Sequence, residues 1–321
     1  MNTLTNPRQK PGQITKVAIV LSTYNGERYL PEQLESLLAQ SWADLLIVVR
    51  DDGSKDGSWQ ILQDYSSRFP NKFHLIEDRL NKGAMTSFSS AMEYVMENKQ
   101  MLGFGRLYML LCDQDDIWDP DKVAVEMKAM LEVEHSLDNT PLPVLIHSDL
   151  TVVSEANEVM AKSFIDFQGL KTERNSFPNM LISNLVTGCT AVINEPLARK
   201  ALPIPKDAIM HDWWLALVAS AFGEIKFLDR ALLNYRQHDN NTIGAKEYVK
   251  DDEYANLVSR VLRKREVNEH LREVAIQADA FRECHGRQLR VVQKTGLWFA
   301  SKMDTNNGFM QRIYYRFALL F

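Results

Sequence analysis

Short apolar segments alternate with amphipathic segments over the first 120 residues, and each apolar segment ends in polar residues. The segments 16–22, 45–50 and 107–112 (KVAIVLS, LLIVVR and LYMLLC) are rich in aliphatic and β-branched residues, which is typical of buried strands. Between the first two, Leu34 and Leu37 have the spacing of one helix face. This alternation predicts an α/β fold with a Rossmann-like, mostly parallel sheet and flanking helices.

Polar residues follow three of these predicted strands, at 22–28, 51–56 and 113–116. In sheets of this kind, ligands bind beyond the carboxyl ends of the strands. The three polar segments are therefore expected to converge on one crevice.

Three carboxylates crowd into the third polar segment, at Asp113, Asp115 and Asp116. Unpaired, they would repel one another and raise each other's pKa values. A hard cation such as Mg²⁺ or Mn²⁺ removes that cost and favours carboxylate oxygens together with substrate phosphates. The alternative is an acidic turn that only caps the helix expected to start at Pro120.

The second polar segment offers Asp52, whose carboxylate can accept a hydrogen bond from the ring N–H of uracil or thymine. On the neighbouring strand end, Tyr24 offers a ring to stack on a base, and Ser22 and Thr23 offer hydroxyls. The alternative is a glycine-containing turn around Gly53 that caps the next helix.

Three motifs in this order and spacing resemble the family 2 glycosyltransferases of the GT-A fold: 22–41 (STYNGERYLPEQLESLLAQS), 48–58 (VVRDDGSKDGS) and 110–123 (LLCDQDDIWDPDKV). The resemblance covers residues 16 to about 245. It implies transfer of a sugar from a nucleotide-sugar donor to a glycan acceptor, with Mg²⁺ or Mn²⁺ as cofactor. The donor-side residues that it implies are Ser22, Thr23, Tyr24, Asn25, Glu27, Asp52, Lys82, Asp113, Gln114 and Arg236.

The resemblance places the metal on Asp113 and Asp115, with His238 as a further candidate ligand. Because the motif reads DQDD rather than a bare DxD, Asp116 is instead a candidate to orient the donor sugar. Lys82 is a candidate partner of the phosphates or a solvated loop lysine. A structural role is the alternative for His238, since a lone histidine is usually a satisfied structural residue.

Two later segments, 187–190 (TGCT) and 211–213 (HDW), resemble the acceptor-side elements of the family. Inverting transfer needs a base that removes the proton of the acceptor hydroxyl, and Asp212 matches the place of that carboxylate. Its alternative role is a helix N-cap. The other acceptor-side or sugar-side candidates are Asp116, Trp118, Gly188, Cys189, Thr190, His211 and Trp213, although a tryptophan at this spacing often belongs to the core.

The segment 235–241 (YRQHDNN) resembles rhamnosyltransferase-like members of the family. Taken with CDQDD and TGCT, it implies transfer of L-rhamnose from dTDP-L-rhamnose in O-antigen, lipopolysaccharide or related bacterial polysaccharide synthesis. A UDP-hexose transferase of the same fold is the main alternative. A nucleotidyltransferase and a non-catalytic glycan-binding scaffold are weaker ones.

The expected organisation is a flexible lead-in at 1–15, a catalytic domain at 16–245 and a basic helical extension at 246–321. Within the catalytic domain, residues 16–120 form the nucleotide-sugar half and residues 121–245 form the acceptor half. Residues 256–321 contain 12 lysines and arginines against 6 acidic residues. This basic, amphipathic tail predicts contact with an anionic membrane that carries a lipid-linked acceptor. Packing on the catalytic domain and a homodimer interface are the alternatives.

Composition predicts a cytoplasmic protein, or one peripheral to the inner face of the cytoplasmic membrane. Cys112, Cys189 and Cys284 form no CxxC pair, which fits a reducing compartment. The amino terminus lacks the apolar region of a signal peptide, and no run of about 18 apolar residues suggests a membrane span. A net charge of −5 gives no reason to expect a nucleic-acid partner.

Overall fold

The computed structural model describes residues 15–138, 140–238 and 267–321 of the 321-residue chain. The strands are β1 (Val17–Thr23), β2 (Leu45–Asp51), β3 (Phe73–Ile76), β4 (Tyr108–Cys112), β5 (Ile117–Trp118), β6 (Val144–Val153), β7 (Val159–Ala161), β8 (Ala191–Asn194) and β9 (Glu224–Arg236). The helices are α1 (Leu30–Leu38), α2 (Ser58–Arg68), α3 (Ala84–Glu97), α4 (Lys122–Ser136), α5 (Phe164–Phe167), α6 (Phe177–Ile182), α7 (Glu195–Ala201), α8 (His211–Phe222), α9 (Glu269–His285), α10 (Val291–Ser301) and α11 (Gly308–Ala318).

The strands form one sheet in the order β3-β2-β1-β4-β8-β6-β9-β5, and β7 pairs with β6. Strands β1 to β4 are parallel to one another, as the alternation of strands and helices predicts. Beyond β4 the sheet is mixed, because β8 runs antiparallel to both β4 and β6 while β6 and β9 are parallel. The predicted GT-A type α/β fold with C-terminal helices is confirmed.

Strand β1 is buried on both faces, which explains why its sequence is almost continuously apolar. Ala18 and Val20 belong to the apolar core on one side of the sheet, and Val17, Ile19 and Leu21 belong to the core on the other side. Alternate side chains of a strand point to opposite faces, so a strand covered by helices on both sides needs apolar residues throughout. Polar side chains of such a strand are therefore expected near its ends, where they can reach a ligand.

The apolar segment 185–193 (LVTGCTAVI) predicts a strand, but in the structure β8 begins only at Ala191. Residues Gly188–Thr190 instead form a single 3₁₀ turn. A contact distant in sequence accompanies this turn, since the Gly188 N–H donates to the Asp212 carboxylate at 3.0 Å. A side chain at Gly188 would also meet the His211 ring, since a Cβ there would lie 2.8 Å from Nε2.

The C-terminal helices α9, α10 and α11 pack on the catalytic domain. Phe281 of α9 is fully buried and contacts Trp214 of α8 and Phe177 of α6. Leu297 and Ala318 extend the same core into α10 and α11. The described part of the extension therefore packs on the catalytic domain, which is one of the alternatives given for it from the sequence. The predicted domain boundary at 245, residues 1–14 of the predicted lead-in at 1–15, and residues 239–241 of the segment 235–241 lie outside the described residues.

Candidate active site

The loops after β1 and β2 are tied together by side chains of the predicted donor motifs. Asn25 donates its N–H to Ser54 Oγ at 2.9 Å, and its Oδ1 accepts from the Lys55 N–H at 2.8 Å. Glu27 Oε2 accepts from the Gly57 N–H. Asn25 has a φ of +50°, a conformation that asparagine adopts more readily than most residues. Asn25 and Glu27 therefore build the crevice edge and do not line the cavity.

Asp52 lies at the cavity wall with both carboxylate oxygens already engaged. Its Oδ1 accepts from Arg50 Nη1 at 2.5 Å and from the Lys82 N–H at 2.8 Å, and its Oδ2 accepts from the Gly83 N–H at 2.8 Å. Arg50 is fully buried. Charge-assisted hydrogen bonds of this kind fix the orientation of a carboxylate. The second lone pair of Oδ2 remains to accept one further N–H.

Two residues of α3, Ser87 beside Arg50 and Phe88 at the cavity wall, were not predicted from the sequence. Ser87 Oγ lies 2.6 Å from Ser22 Oγ and also accepts from Arg50 Nη1 at 2.8 Å. Phe88 presents its ring to the cavity. Both stand in the first turns of α3, after Gly83, whose φ of +80° favours glycine. Gly83 directly precedes α3, so a glycine before a predicted helix is the sequence signal that could have identified Ser87 and Phe88.

Gln114 closes the loop after β1 from the opposite side. Its Oε1 accepts from Thr23 Oγ1 at 2.6 Å and from the Tyr24 N–H at 2.8 Å, while its Nε2 donates to the Tyr24 carbonyl at 3.2 Å. The Tyr24 side chain is 46% exposed. The backbone of Tyr24 is thus fixed while its ring stays open to a planar ligand.

The acidic motif places Asp113 and Asp116 against the Cys189 thiol, and the candidate ligand atoms of these three residues lie within 4.8 Å of one another. Burial and the nearby charges of Asp115 and Asp212 raise the pKa of Asp113 to about 7. Asp116 is fully buried, and its Oδ2 has no hydrogen-bond partner.

This donor set fits a divalent cation. A buried carboxylate oxygen without a partner and a second carboxylate with a raised pKa both gain from a positive charge. The oxygens of Asp113 and Asp116 are of the type that Mg²⁺ and Mn²⁺ prefer.

Asp115 and His238, both predicted metal ligands, contact each other. His238 Nε2 lies 2.9 Å from Asp115 Oδ2, and the imidazole stacks on the Tyr29 ring with centroids 4.8 Å apart. Asp115 lines the cavity and His238 does not. Metal ligation by this pair stays a prediction, and the observed role of His238 is to hold the Asp115 carboxylate.

The two predicted phosphate-binding cations have protein partners. Lys82 Nζ pairs with Asp78 Oδ2 at 2.6 Å. Arg236 donates to the Asp115 carbonyl at 3.1 Å and to Glu32 at 2.5 Å. Neither side chain lines the cavity, so a phosphate contact by either one would require a change of partner.

Asp212 forms the wall that faces the donor-side residues. Its carboxylate accepts from the Gly188 N–H at 3.0 Å, from Asn184 Nδ2 at 3.1 Å and from the Trp213 N–H at 2.5 Å. Burial raises its pKa to about 6. The residue in the N-cap position of α8 is Met210, so the predicted alternative of an N-cap role for Asp212 is not observed.

His211 presents an unpaired imidazole beside Asp212. The residue is 5% exposed, and the ring stacks on Phe88 at 4.0 Å between centroids. Within the described part of the chain, neither ring nitrogen has a hydrogen-bond partner. Burial lowers its pKa to about 3, so the ring is neutral near pH 7 and offers one N–H donor and one acceptor.

Asp116 and four further residues of the predicted acceptor-side or sugar-side set are interior residues rather than cavity residues. Trp213 is 5% exposed and donates its indole N–H to the Met180 carbonyl at 2.6 Å. Trp118 and Cys189 are buried, and Thr190 is buried with its hydroxyl donating to the Thr187 carbonyl at 2.7 Å. The structure thus places Trp213 where it packs between α8 and α6, and a sugar contact by this ring stays a prediction.

The donor-side and acceptor-side residues enclose one cavity of about 400 Å³ beyond the carboxyl ends of β1, β2 and β4. Its lining residues are Ser22, Thr23, Tyr24, Asp52, Asn81, Gly83, Ala84, Phe88, Asp113, Gln114, Asp115, Thr187, Gly188, Met210, His211, Asp212 and Tyr235. The three predicted polar segments and the predicted acceptor residues Gly188, His211 and Asp212 therefore meet in one place. That volume is of the size that binds small molecules and cofactors.

A GT-A sheet with an acidic crevice at its strand ends defines a class, the nucleotide-sugar glycosyltransferases. Residues 18–141 match the family model described as Glycosyl transferase family 2.

Two relatives of this chain in sequence are named as glycosyltransferases. The dTDP-rhamnosyl transferase RfbG of Shigella flexneri is 28% identical over 242 residues, which cover 70% of this chain and 74% of RfbG. The putative teichuronic acid biosynthesis glycosyltransferase TuaG of Bacillus subtilis is 24% identical over 70% of this chain and 80% of its own. An uncharacterized protein of Mycobacterium tuberculosis is 27% identical over 69% of this chain, but the match spans only 59% of that protein.

Solved structures share the fold. S. aureus TarS in complex with UDP-GlcNAc superposes with a TM-score of 0.53 at 16% identity, over 90% of this chain and 80% of that one. The mannosyltransferase PcManGT from Pyrobaculum calidifontis, in complex with GDP-Man and Mn²⁺, gives 0.51 at 15% identity over 97% and 87%. The family 2 relatives and these neighbours together support a glycosyltransferase with homologues in bacterial polysaccharide synthesis.

Proposed function

We propose that this chain is an inverting, metal-dependent glycosyltransferase that moves L-rhamnose from dTDP-L-rhamnose to a hydroxyl of a bacterial glycan. One observation carries the proposal. The Asp212 carboxylate faces Asp52, Asp113 and Asp115 across one cavity, so that a base, a nucleotide-binding carboxylate and a cation-binding cluster surround the same space.

On the donor side, Asp52 accepts the ring N–H of the pyrimidine through the free lone pair of Oδ2, and the exposed Tyr24 ring stacks on the base. Arg50 and the Lys82 and Gly83 amides hold Asp52 in that orientation. Asp113 and Asp116 hold the divalent cation, with Asp115 beside them at the cavity wall. When bound, the cation offsets the negative charge that develops on the departing nucleoside diphosphate.

On the acceptor side, Asp212 acts as the general base. The acceptor oxygen forms a bond to the anomeric carbon while the bond from that carbon to the phosphate oxygen breaks. The hydroxyl proton passes to the Asp212 carboxylate, whose pKa of about 6 suits a base that is ionised at neutral pH and still able to take a proton. Attack from the face opposite the leaving group inverts the anomeric centre.

A panel of nucleotide sugars tests the donor assignment. The two structural neighbours are complexes with UDP-GlcNAc and GDP-Man, whereas one relative is named for dTDP-rhamnose. The same fold therefore serves different donors, and the donor needs its own test. The enzyme is incubated with dTDP-L-rhamnose, UDP-glucose, UDP-galactose or GDP-mannose, and nucleotide release is measured. We expect release only from dTDP-L-rhamnose. Release only from a UDP-hexose would replace rhamnose by the UDP-hexose alternative.

A metal titration separates an enzyme from a glycan-binding scaffold. Binding of dTDP is measured with and without Mn²⁺, and we expect binding that strengthens with the metal. Binding that ignores Mn²⁺, or no binding at all, would favour the scaffold.

We also propose that the acceptor is lipid-linked and that α10 and α11 bring the enzyme to the inner face of the cytoplasmic membrane. The exposed apolar side chains there include Val291 at 78%, Trp298 at 50%, Phe309 at 62% and Leu320 at 71%. Phe299 of α10 stacks on Phe317 of α11 with centroids 5.0 Å apart, which makes the two exposed faces continuous. Residues 290–321 contain five basic residues and a single acidic one, Asp304.

This combination suits the interface of an anionic bilayer, where apolar side chains insert and lysine and arginine contact the headgroups. None of the helices described is long and apolar enough to span a membrane. Sedimentation with phosphatidylglycerol vesicles tests the surface, with phosphatidylcholine vesicles as the neutral comparison.

We expect co-sedimentation with the anionic vesicles only. Trp298→Ser should weaken it, whereas Val159→Ser, which removes an equally exposed apolar residue on β7, should leave it unchanged. Equal loss in both variants, or no sedimentation of the unmodified chain, would exclude this surface.

A further inference from the structure

A second cavity, of about 1080 Å³, lies at the opposite end of β4 from the candidate active site. Leu107 and Tyr108, at the start of β4, line the second cavity, whereas Asp113, just past its end, lines the first. A strand rises about 3.3 Å per residue, so the two ends of β4 are on the order of 15 Å apart. The two cavities share no lining residue. A ligand of the second cavity would not touch the reacting atoms.

The C-terminal extension and the catalytic domain build this cavity together. The catalytic domain contributes α7 and the Trp214 and Phe222 side chains of α8. The extension contributes Cys284 and His285 at the end of α9, and Gln288 in the turn that follows. Ligand sites occur preferentially between such units.

His285 is the most informative group in this cavity. The residue is 6% exposed, and neither ring nitrogen has a hydrogen-bond partner among the residues that the structure describes. Burial, together with the charge of Lys200, lowers its pKa to about 4, so the ring is neutral near pH 7. A buried polar group without a partner destabilises the folded state, and native proteins seldom contain one without a reason. A neutral imidazole with a free donor and a free acceptor suits a ligand hydroxyl.

The charged side chains of the cavity wall differ in whether they have a partner of opposite charge. The Glu134 carboxylate pairs with Arg106, and the Glu195 carboxylate pairs with Lys99 and Arg199. Lys200 differs, because its Nζ donates to the neutral Gln288 Oε1 at 2.5 Å. Among the residues that the structure describes, no carboxylate lies within 4.0 Å of it. Lys200 therefore supplies a positive charge that a ligand anion could neutralise.

The rest of the lining supplies flat apolar surface. Lys200 Nζ lies 4.0 Å from the centroid of the Phe222 ring, so the cation and the aromatic face are adjacent. Pro196 and Pro203 also line the cavity. A sugar ring offers the complementary set of groups, with C–H bonds for the apolar face and hydroxyls for the imidazole.

We infer that the cavity binds an anionic sugar, a hexose that carries one phosphate or carboxylate group. The anionic group pairs with Lys200, a hydroxyl satisfies His285, and the ring covers the apolar surface beside Phe222. The site is separate from the donor cavity and does not depend on the identity of the donor.

Cys284 provides a direct reporter of occupancy. Its thiol is exposed and lines the cavity, whereas Cys112 and Cys189 are buried. A chromogenic disulfide reagent should therefore modify Cys284 first, and its rate is measured on the intact chain with increasing glucose 6-phosphate, glucuronate, glucose or inorganic phosphate. We expect the two anionic sugars to slow the modification by about tenfold at ten times their Kd, which is the occupancy ratio for a single site.

Matched lysine variants test the assignment of the charge. Lys200→Gln should weaken protection by both anionic sugars by about tenfold or more, the range for a hydrogen bond to a charged group. Lys171→Gln, at an exposed lysine outside the cavity, should leave protection unchanged. The inference is overturned if no anionic sugar protects Cys284, or if Lys200→Gln is protected as well as the unmodified chain. Equal protection by inorganic phosphate would likewise overturn it, because the site would then bind an anion without a sugar.

Discussion

The donor and acceptor walls of the candidate active site differ in how far the protein itself satisfies their polar groups. On the donor wall, Asp52 accepts three hydrogen bonds and the Gln114 amide makes three. On the acceptor wall, both ring nitrogens of His211 lack a partner next to the Asp212 carboxylate. The donor wall is therefore built before a ligand arrives. On the acceptor wall the Asp212 carboxylate is also held by three hydrogen bonds, but the His211 ring keeps a donor and an acceptor for the hydroxyl that binds there.

Because of this difference, substitutions on the two walls should affect different kinetic parameters. A change on the donor wall should disturb nucleotide binding, because the protein's own hydrogen bonds position the nucleotide-binding carboxylate. A change on the acceptor wall should leave nucleotide binding intact and affect transfer or acceptor affinity.

The largest effect is expected from Asp212→Asn. The amide cannot take the acceptor proton, so kcat should fall by about 10²–10⁴, the usual contribution of a general base. Nucleotide affinity, measured by calorimetry with dTDP, should not change. Asp207→Asn, an exposed aspartate five positions earlier, is the control and should retain activity. Near-normal turnover by Asp212→Asn would remove Asp212 from the role of base.

Asp52→Asn should give the next largest effect, and on binding rather than on turnover. An amide in this position turns an NH₂ group toward one of the donors that now surround the carboxylate, and it loses the charge that Arg50 neutralises. We expect dTDP affinity to fall by about 10–100-fold, the range for hydrogen bonds to a charged group.

Asp64→Asn, at an exposed carboxylate of α2 that pairs with Arg68, is the control and should change affinity little. If both variants bind dTDP like the unmodified chain, Asp52 does not contact the base.

The contrast between the walls also explains what could be predicted from the sequence. Strands β1, β2 and β4 are apolar except near their carboxyl ends because helices cover both faces, so the sequence marks the region where Asp52 and Asp113 lie. The acceptor wall depends on the 3₁₀ turn at Gly188–Thr190, which the Asp212 carboxylate holds from 24 positions away. A local pattern of apolar residues contains no signal for such a contact.

The same reason explains why the second cavity could not be predicted. Its wall joins Tyr108, Lys200, Phe222 and His285, which are dispersed along the chain and share no motif. Basic composition predicts a basic extension, but only the packing of α9 on α8 shows that His285 is buried beside Lys200.

The pH dependence of transfer should show the acidity of the base. Because burial raises the pKa of Asp212 to about 6, the carboxylate is ionised above that pH and protonated below it. A base is active only when ionised, so kcat should fall toward tenfold per pH unit below about pH 6 and be about tenfold lower at pH 5. A kcat that stays constant from pH 8 to pH 5, with the enzyme still folded by circular dichroism, would contradict this assignment.

The smallest effect is expected at His211, where a single neutral hydrogen bond is at stake. His211→Leu keeps an apolar contact with Phe88 but removes both ring nitrogens, so the acceptor hydroxyl loses a partner. One such bond is worth about 0.5–1.5 kcal/mol, which corresponds to a rise in acceptor KM of about 2–12-fold. The KM for the donor should stay the same, because His211 makes no contact with the bonds that hold Asp52. His211→Gln, whose amide again offers a donor and an acceptor, should recover part of the loss. If His211→Leu and His211→Gln raise the KM of both substrates equally, His211 supports the whole cavity, and the two walls are not independent.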